Sequence, residues 1–355
     1  MKESLFFALL RKALWNSDET LPTTIPADDV KRIMYAAKKH AVTGLIANVI
    51  IDNAINVGQE WPMQLAAISL QVKATNAKIN KGVVELVELM NASGNEYFIV
   101  KGQTLATLYH NPYARMSGDI DFVVRNYNCA TDAIYKGWNV ELPDKIVGKE
   151  VAFSYGGCLY ELHTHLITFG LRKHRKAWES LMAASPTEKV IIDGIEVSTL
   201  APTQYAVYVF LHLFFHFIHS GVGLRQLCDW AIVLQKRKDD INNEMLQTSL
   251  RAMGIEKAYR AFGSIIIDKL GVTTFPFQIT HRDRKWGQTI MTDIMISGNF
   301  GNSWRKQRQG KWGYKLETFR LSFKNRIKYW RLAPNEIGFT FYQVALQNIR
   351  LIIGR

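Results

Sequence analysis

The chain has 355 residues, 48% of them hydrophobic and 21% charged, with 9 prolines, which excludes a disordered, collagen-like or mucin-like polypeptide and suffices for two or three domains with sizeable cores. Its three cysteines, Cys129, Cys158 and Cys228, are odd in number and form no CxxC pair, which argues against a disulfide framework and a cysteine zinc site. The formal net charge of +13 sits at one end: residues 281–355 carry 15 Lys and Arg against 4 Asp and Glu, and such asymmetry points to an anionic partner for that end.

Leu5, Phe6, Leu9 and Leu10 recur at helical spacing, and Arg11-Lys12 interrupts the apolar run before it reaches the length of a signal-peptide core. An amphipathic docking helix is expected there, with the cytoplasm as default location. Helices are expected over 28–40, 43–55 and 62–90, the last from Leu65, Ile68, Val72, Val83, Leu86, Val87 and Met90, with Gly94 as its stop. The texture then changes. YFIV at 97–100 is a short β-type run ending at Lys101-Gly102, 103–110 reads as a short helix closed by Asn111-Pro112, DIDFVV at 119–124 alternates as a strand, and 128–137 reads as a helix. Further strands are expected at 151–155, 159–166, 189–193 and 195–200, the last two joined at Asp193-Gly194.

From Pro202 the chain reads as helical again, over 203–219, 223–237, 241–252 and 256–270. A linker is expected over 272–288, around Pro276 and HRDRK, followed by a mostly helical, basic and aromatic tail. The apolar run 205–222 is about the length of a membrane span. It carries His212, His216 and His219 and lacks a cationic flank, so a buried core helix is expected and no membrane span. The outline is α+β: a small mixed unit at 96–200 between a helical region at 1–95 and another at 201–355.

The chemistry concentrates around Lys101-Gly102 and Asp119-Ile-Asp121. Residues i and i+2 of a strand share a face, so Asp119 and Asp121 project together while Ile120, Phe122 and Val124 face the core. Two carboxylates on one face repel each other, and a divalent cation relieves the repulsion; Mg²⁺ takes carboxylate oxygens and completes its shell with water and phosphate. Upstream, Gly102 permits close backbone approach, the helix start favours phosphate, and Lys101 adds a point charge. In LYELHTHL, Leu159, Glu161, His163 and His165 share one face, and a carboxylate in an otherwise apolar strand is costly unless paired or bound to metal. Glu161 is therefore the candidate third acid.

This pattern resembles the polymerase-β-type nucleotidyltransferase superfamily, and more closely its uncharacterised nucleotidyltransferase branch. The resemblance is carried by Val100-Lys101-Gly102, Arg115, Gly118-Asp119-Ile120-Asp121, then Tyr160-Glu161-Leu162-His163, then His212 or His216 with Leu224, Leu227 and Asp229. Abortive-infection-type toxin nucleotidyltransferases share a similar Lys-Gly…Arg-x-Ser-x-Asp-x-Asp stretch. The resemblance implies a mixed-sheet nucleotidyltransferase core and a Mg²⁺ (or Mn²⁺) enzyme that moves a nucleoside monophosphate from an NTP to a hydroxyl acceptor. The acceptor class stays open among RNA, protein and a small molecule. It implies that Asp119, Asp121 and Glu161 hold metal, that Lys101, Gly102 and Arg115 contact the nucleotide, and that Ser117 and Gly118 shape its turn. His163, Arg225 and Asp229 are candidates for a place beside the site.

Two other classes fit parts of the pattern. Metal-dependent glycosyltransferases also use Asp-x-Asp, but they place a longer nucleotide-binding half before it. A non-catalytic binding protein would rest on 301–331, which carries ten Lys and Arg against one Glu with interleaved aromatics. That stretch suits contact with a polyanion, either nucleic acid or anionic lipid, and equally a helix that packs its aromatics and solvates its charges. His212, His216 and His219 share a helix face, but Leu213 stands where a zinc-peptidase helix needs Glu.

Overall fold

A computed structural model describes residues 3–145, 150–184, 187–299 and 311–339. The chain divides into two units, one formed by 1–166 with 186–201 and the other by 167–185 with 202–355.

The first unit opens with three helices, α1 (Glu3–Trp15), α2 (Ala27–Lys39) and α3 (Thr43–Asp52). The expected docking helix at the start packs inside this unit, burying Phe6, Phe7, Leu9, Leu10 and Leu14. The 32-residue α4 (Trp61–Ala92) follows. Next come β1 (Tyr97–Val100), a single turn of helix α5 (Gly102–Ala106), a 3₁₀ turn at Pro112–Ala114, β2 (Asp119–Val124) and α6 (Tyr127–Trp138). The hairpin β3 (Glu150–Tyr155) and β4 (Cys158–His163) completes a four-stranded mixed sheet of order β1-β2-β4-β3. In it β2 runs antiparallel to β1 and parallel to β4. A second hairpin, β5 (Glu188–Ile192) and β6 (Ile195–Thr199), turns at Asp193-Gly194 as expected and is tied to β1 by Thr199, whose hydroxyl donates to the Ile99 carbonyl at 2.7 Å.

Alternation decides which sheet face is buried. Ile120, Phe122 and Val124 of β2 and Tyr160 and Leu162 of β4 lie in one cluster with Val83, Leu86, Val87 and Met90 of α4 and Ala130 and Ile134 of α6. The helix lies so close to the sheet that a Cβ at Gly82 would stand 2.8 Å from the Tyr160 hydroxyl and 3.0 Å from both Cys158 Sγ and Ile120 Cδ1. Asp119, Asp121, Glu161 and His163 are left on the opposite face.

The described elements of the second unit are helical. They comprise α7 (Arg172–Ala183), α8 (Pro202–His219), α9 (Leu224–Lys236), α10 (Asn243–Ala252), α11 (Glu256–Leu270), α12 (His281–Ser297) and α13 (Lys311–Tyr329), followed by a 3₁₀ turn at Trp330–Leu332. The apolar run of 205–222 is core: Phe210 of α8 packs against Trp230 of α9 and Tyr259 of α11 with ring centroids 5.0 and 4.7 Å away. Among the described residues no helix is long and apolar enough to cross a membrane.

Three expectations need correction, and one helix went unread. The stretch 272–288 is not all linker, because HRDRK forms the first turn of α12. Thr280 and Asp283 cap that helix reciprocally, Thr280 N–H donating to Asp283 Oδ2 at 2.8 Å and Asp283 N–H to Thr280 Oγ1 at 3.3 Å. The helix expected over 103–110 ends at Ala106 and continues as turns to the Asn111 cap. The strand expected over 159–166 ends at His163, so His165 leaves the face shared by Glu161 and His163. Helix α7 was not anticipated; its buried residues His174, Trp178 and Leu181 keep helical spacing inside a mostly charged run. In the basic tail, 301–310 lies outside the described residues. Further on, Asn325 donates from Nδ2 to the Phe217 carbonyl at 3.0 Å and Tyr329 is fully buried, while Phe323, Ile327 and Trp330 are exposed.

Candidate functional site

Strand register assembles the site. Asp121 stands opposite Val100 on one side and opposite Glu161 on the other. The antiparallel β1–β2 pair therefore delivers Lys101 beside Asp121 as β1 ends, and the parallel β2–β4 pair sets two carboxylates side by side. Asp121 is 1% exposed, and Lys101 Nζ lies 2.7 Å from its Oδ1. His163, also buried, places Nε2 3.0 Å from the same oxygen and 3.9 Å from Glu161 Oε2. On its other side His163 Nδ1 is 3.6 Å from Glu150 Oε2, Glu150 being its partner in the β3–β4 register.

The Lys101-Gly102 turn is strained and tightly placed. Lys101 has φ 57° and ψ −146°, close to a region that side-chain-bearing residues seldom enter and that costs on the order of 1–3 kcal/mol. Gly102 follows with φ 41°, and a Cβ there would come within 3.2 Å of the Asp119 carbonyl. The turn is held from several sides. Thr104 Oγ1 donates to the Lys101 carbonyl at 2.8 Å, and the buried Gln103 donates to Asn80 of α4. A second residue of α4, Asn76, donates from Nδ2 to the carbonyls of Tyr113 at 3.0 Å and Arg115 at 2.8 Å. Two turns of one helix thus pin both the Lys-Gly turn and the approach to β2.

The electrostatics separate the acids. Burial raises the pKa of Asp121, but the ammonium of Lys101 and the hydrogen bond and charge of His163 outweigh it and hold the carboxyl below its usual range. Glu161 goes the other way, pushed up to about 8 by burial and then by the negative charges of Asp121, Asp119 and Glu150, with Lys101 only partly opposing. Such a face gains from a cation that neutralises several carboxylates at once. Ligand atoms of Asp121, Glu161 and His163 all lie within 4.8 Å of one another, and among the described residues they form the one group of three suited to a metal ion.

The other expected site residues fall as follows. Asp119 begins β2, half-buried, two residues before Asp121, and its charge acts on Glu161. Arg115 is buried and donates from Nη1 to Ser117 Oγ at 2.8 Å, with Gly118 exposed between this pair and β2. Arg225 and Asp229 sit on α9 of the second unit and not on the sheet. Sequence reasoning missed Glu150 and the α4 asparagines. Glu150 had a signal: the turn at Gly156-Gly157 pairs Tyr155 with Cys158, and stepping back equally along both strands sets Glu150 against His163.

No curated protein matches the chain. A crystal structure of an antigenic nucleotidyltransferase-like protein from Paracoccidioides brasiliensis is similar at 13% identity with a TM-score of 0.32, over 56% of this chain and 94% of that one. The family described as Uncharacterised nucleotidyltransferase matches residues 26–266, which take in the whole four-stranded sheet, the Lys-Gly turn and all the residues built up above. The chain therefore belongs to the uncharacterised nucleotidyltransferase family.

Proposed function

We propose that the protein is a divalent-metal-dependent nucleotidyltransferase that moves a nucleoside monophosphate from an NTP to a hydroxyl acceptor and releases pyrophosphate. The observation that carries the reading is the direct opposition of Asp121 and Glu161 on neighbouring parallel strands, with the Lys101 ammonium 2.7 Å from Asp121. Asp119, Asp121 and Glu161 would hold the metal, Mg²⁺ or Mn²⁺; their mutual repulsion and the raised pKa of Glu161 fit a cation-binding face. Bound there, the ion would supply charge neutralisation at the triphosphate and favour ionisation of the acceptor hydroxyl.

The chain's own residues supply the rest. Lys101 offers an ammonium to the phosphates from a turn whose backbone is already fixed. Gly102 lets that turn lie against the start of β2. Arg115 and Ser117 stiffen the segment entering β2, and Gly118 leaves room beside Asp119 because nothing lies within 4 Å of where its Cβ would be. The test is transfer of label from each α-labelled NTP, with Mg²⁺ or Mn²⁺, into RNA, protein or small-molecule fractions of a cell extract. Label is expected in one fraction and absent with Asp119→Ala or Asp121→Asn. Transfer by both variants at the parent rate would overturn the assignment.

A further inference from the structure

We infer that His163 is a direct ligand of the metal beside Asp121 and Glu161, and that this nitrogen makes the site prefer a first-row transition ion to Mg²⁺. The inference rests on the metal-dependent reading above and concerns which ion that site selects.

The donor set is the first argument. His163 Nε2 lies 3.0 Å from Asp121 Oδ1 and 3.9 Å from Glu161 Oε2. The 3.0 Å spacing to Asp121, a hydrogen bond here, is also close to the separation at which two donors with bonds of about 2.1 Å would share one ion. The ring has little freedom to leave that position, being 6% exposed on the strand that carries Glu161.

The second argument is the far side of the ring. A metal-bound imidazole commonly gives its other N–H to a carboxylate, which fixes the tautomer and leaves the facing nitrogen's lone pair for the metal. Glu150 stands there, Oε2 3.6 Å from Nδ1, half-exposed and set opposite His163 by the β3–β4 register. His163 thus has a carboxylate at each nitrogen. Imidazole nitrogen suits the later first-row ions best, and Mn²⁺, the hardest of them, accepts it more readily than Mg²⁺, which keeps to oxygen ligands and water.

Mn²⁺ is the probe, because its free form is counted by electron paramagnetic resonance and pulsed spectra report a directly bound ¹⁴N. With the full chain, bound Mn²⁺ is expected to show ¹⁴N modulation from one imidazole. Mg²⁺ is expected to displace it only at concentrations higher by on the order of tenfold or more. His163→Gln should abolish the modulation and weaken Mn²⁺ by on the order of 10–100-fold, with Mg²⁺ affinity changed by less than about threefold. Glu150→Gln, at a half-exposed position that tolerates an amide, should weaken Mn²⁺ about tenfold while keeping the modulation. Bound Mn²⁺ without ¹⁴N modulation, or equal loss of both ions in His163→Gln, overturns the inference and leaves the nucleotidyltransferase reading standing. No Mn²⁺ bound, or binding unaffected by Asp121→Asn, overturns both.

Discussion

His40 closes α2 with its side chain fully buried and, among the described residues, no hydrogen-bond partner for either ring nitrogen. Burial, then the neighbouring Lys39 charge, lowers its pKa to about 4 from an ordinary 6.5. Between those values the unfolded chain binds a proton that the folded chain refuses, so stability falls as pH drops from 6.5 towards 4. His40→Leu puts an apolar side chain of similar size in its place and removes that proton, so its urea midpoint should match or exceed the parent at pH 7 and exceed it clearly at pH 5. Glu161 has the opposite slope. Its folded pKa of about 8 exceeds the ordinary 4.5, so its favourable contribution is complete below 4.5 and is lost as pH rises to 8. Without metal, Glu161→Gln should therefore be the more stable protein at pH 9, by on the order of 1 kcal/mol or more, since one pKa unit is about 1.36 kcal/mol. At pH 4 the advantage should vanish. If Glu161 holds metal as proposed, the same shift means that binding at pH 7 would expel a proton from it. Calorimetry in buffers of different ionisation enthalpy should detect the release in the parent and find it reduced in Glu161→Gln.

At the scale of elements, the contact between α4 and the sheet sets both the core and the site. They approach closely at Gly82, with three side-chain atoms of the sheet at or below 3.0 Å from a Cβ built there. A β-branched residue brings little helix propensity to offset that crowding. Gly82→Val should thus lower stability by about 1–3 kcal/mol, read from the urea midpoint at unchanged slope. The same contact explains what was legible in the sequence. β2 and β4 could be read because alternation carries a strand and i, i+2 placement carries its acids, so Asp119 with Asp121, and Glu161 with His163, were each expected to share a face of their own strand. Helix α8 was legible from an apolar run that only histidines interrupt after Gln204. Helices α7 and α12 were harder, because a few buried residues such as Trp178 and Ile290 carry the period through charged runs. The polar clamp of Asn76 and Asn80 was not legible at all: Asn76 grips the Arg115 carbonyl across 39 residues of chain, and no local pattern announces such a bond. Glu150 lay between, recoverable only through the hairpin register.

At the scale of the whole molecule, two of the cores among the described residues can be compared. One joins α4 and α6 to the sheet, and the other surrounds α8 with Trp230, Tyr259 and Phe262. Lys101, Asp121, Glu161 and His163 all belong to the unit formed by 1–166 with 186–201. A ligand that binds only the folded site stabilises it by about 2.7 kcal/mol at a hundred times its Kd. That stabilisation reaches only those amides whose exchange requires an opening that destroys the site. Each unit buries its own apolar surface, so opening of the helical unit need not separate β1, β2 and β4. Hydrogen exchange with Mn²⁺ at a hundred times its Kd should therefore slow the protected amides of those strands and of the C-terminal half of α4 by up to about a hundredfold. Amides of α8, α9 and α11 should exchange at their metal-free rates, and Asp121→Asn should remove the effect from the strands. Equal slowing in both sets would instead make the two units one cooperative body, in which loss of the α8 core opens the acidic face of the sheet as surely as loss of the sheet itself.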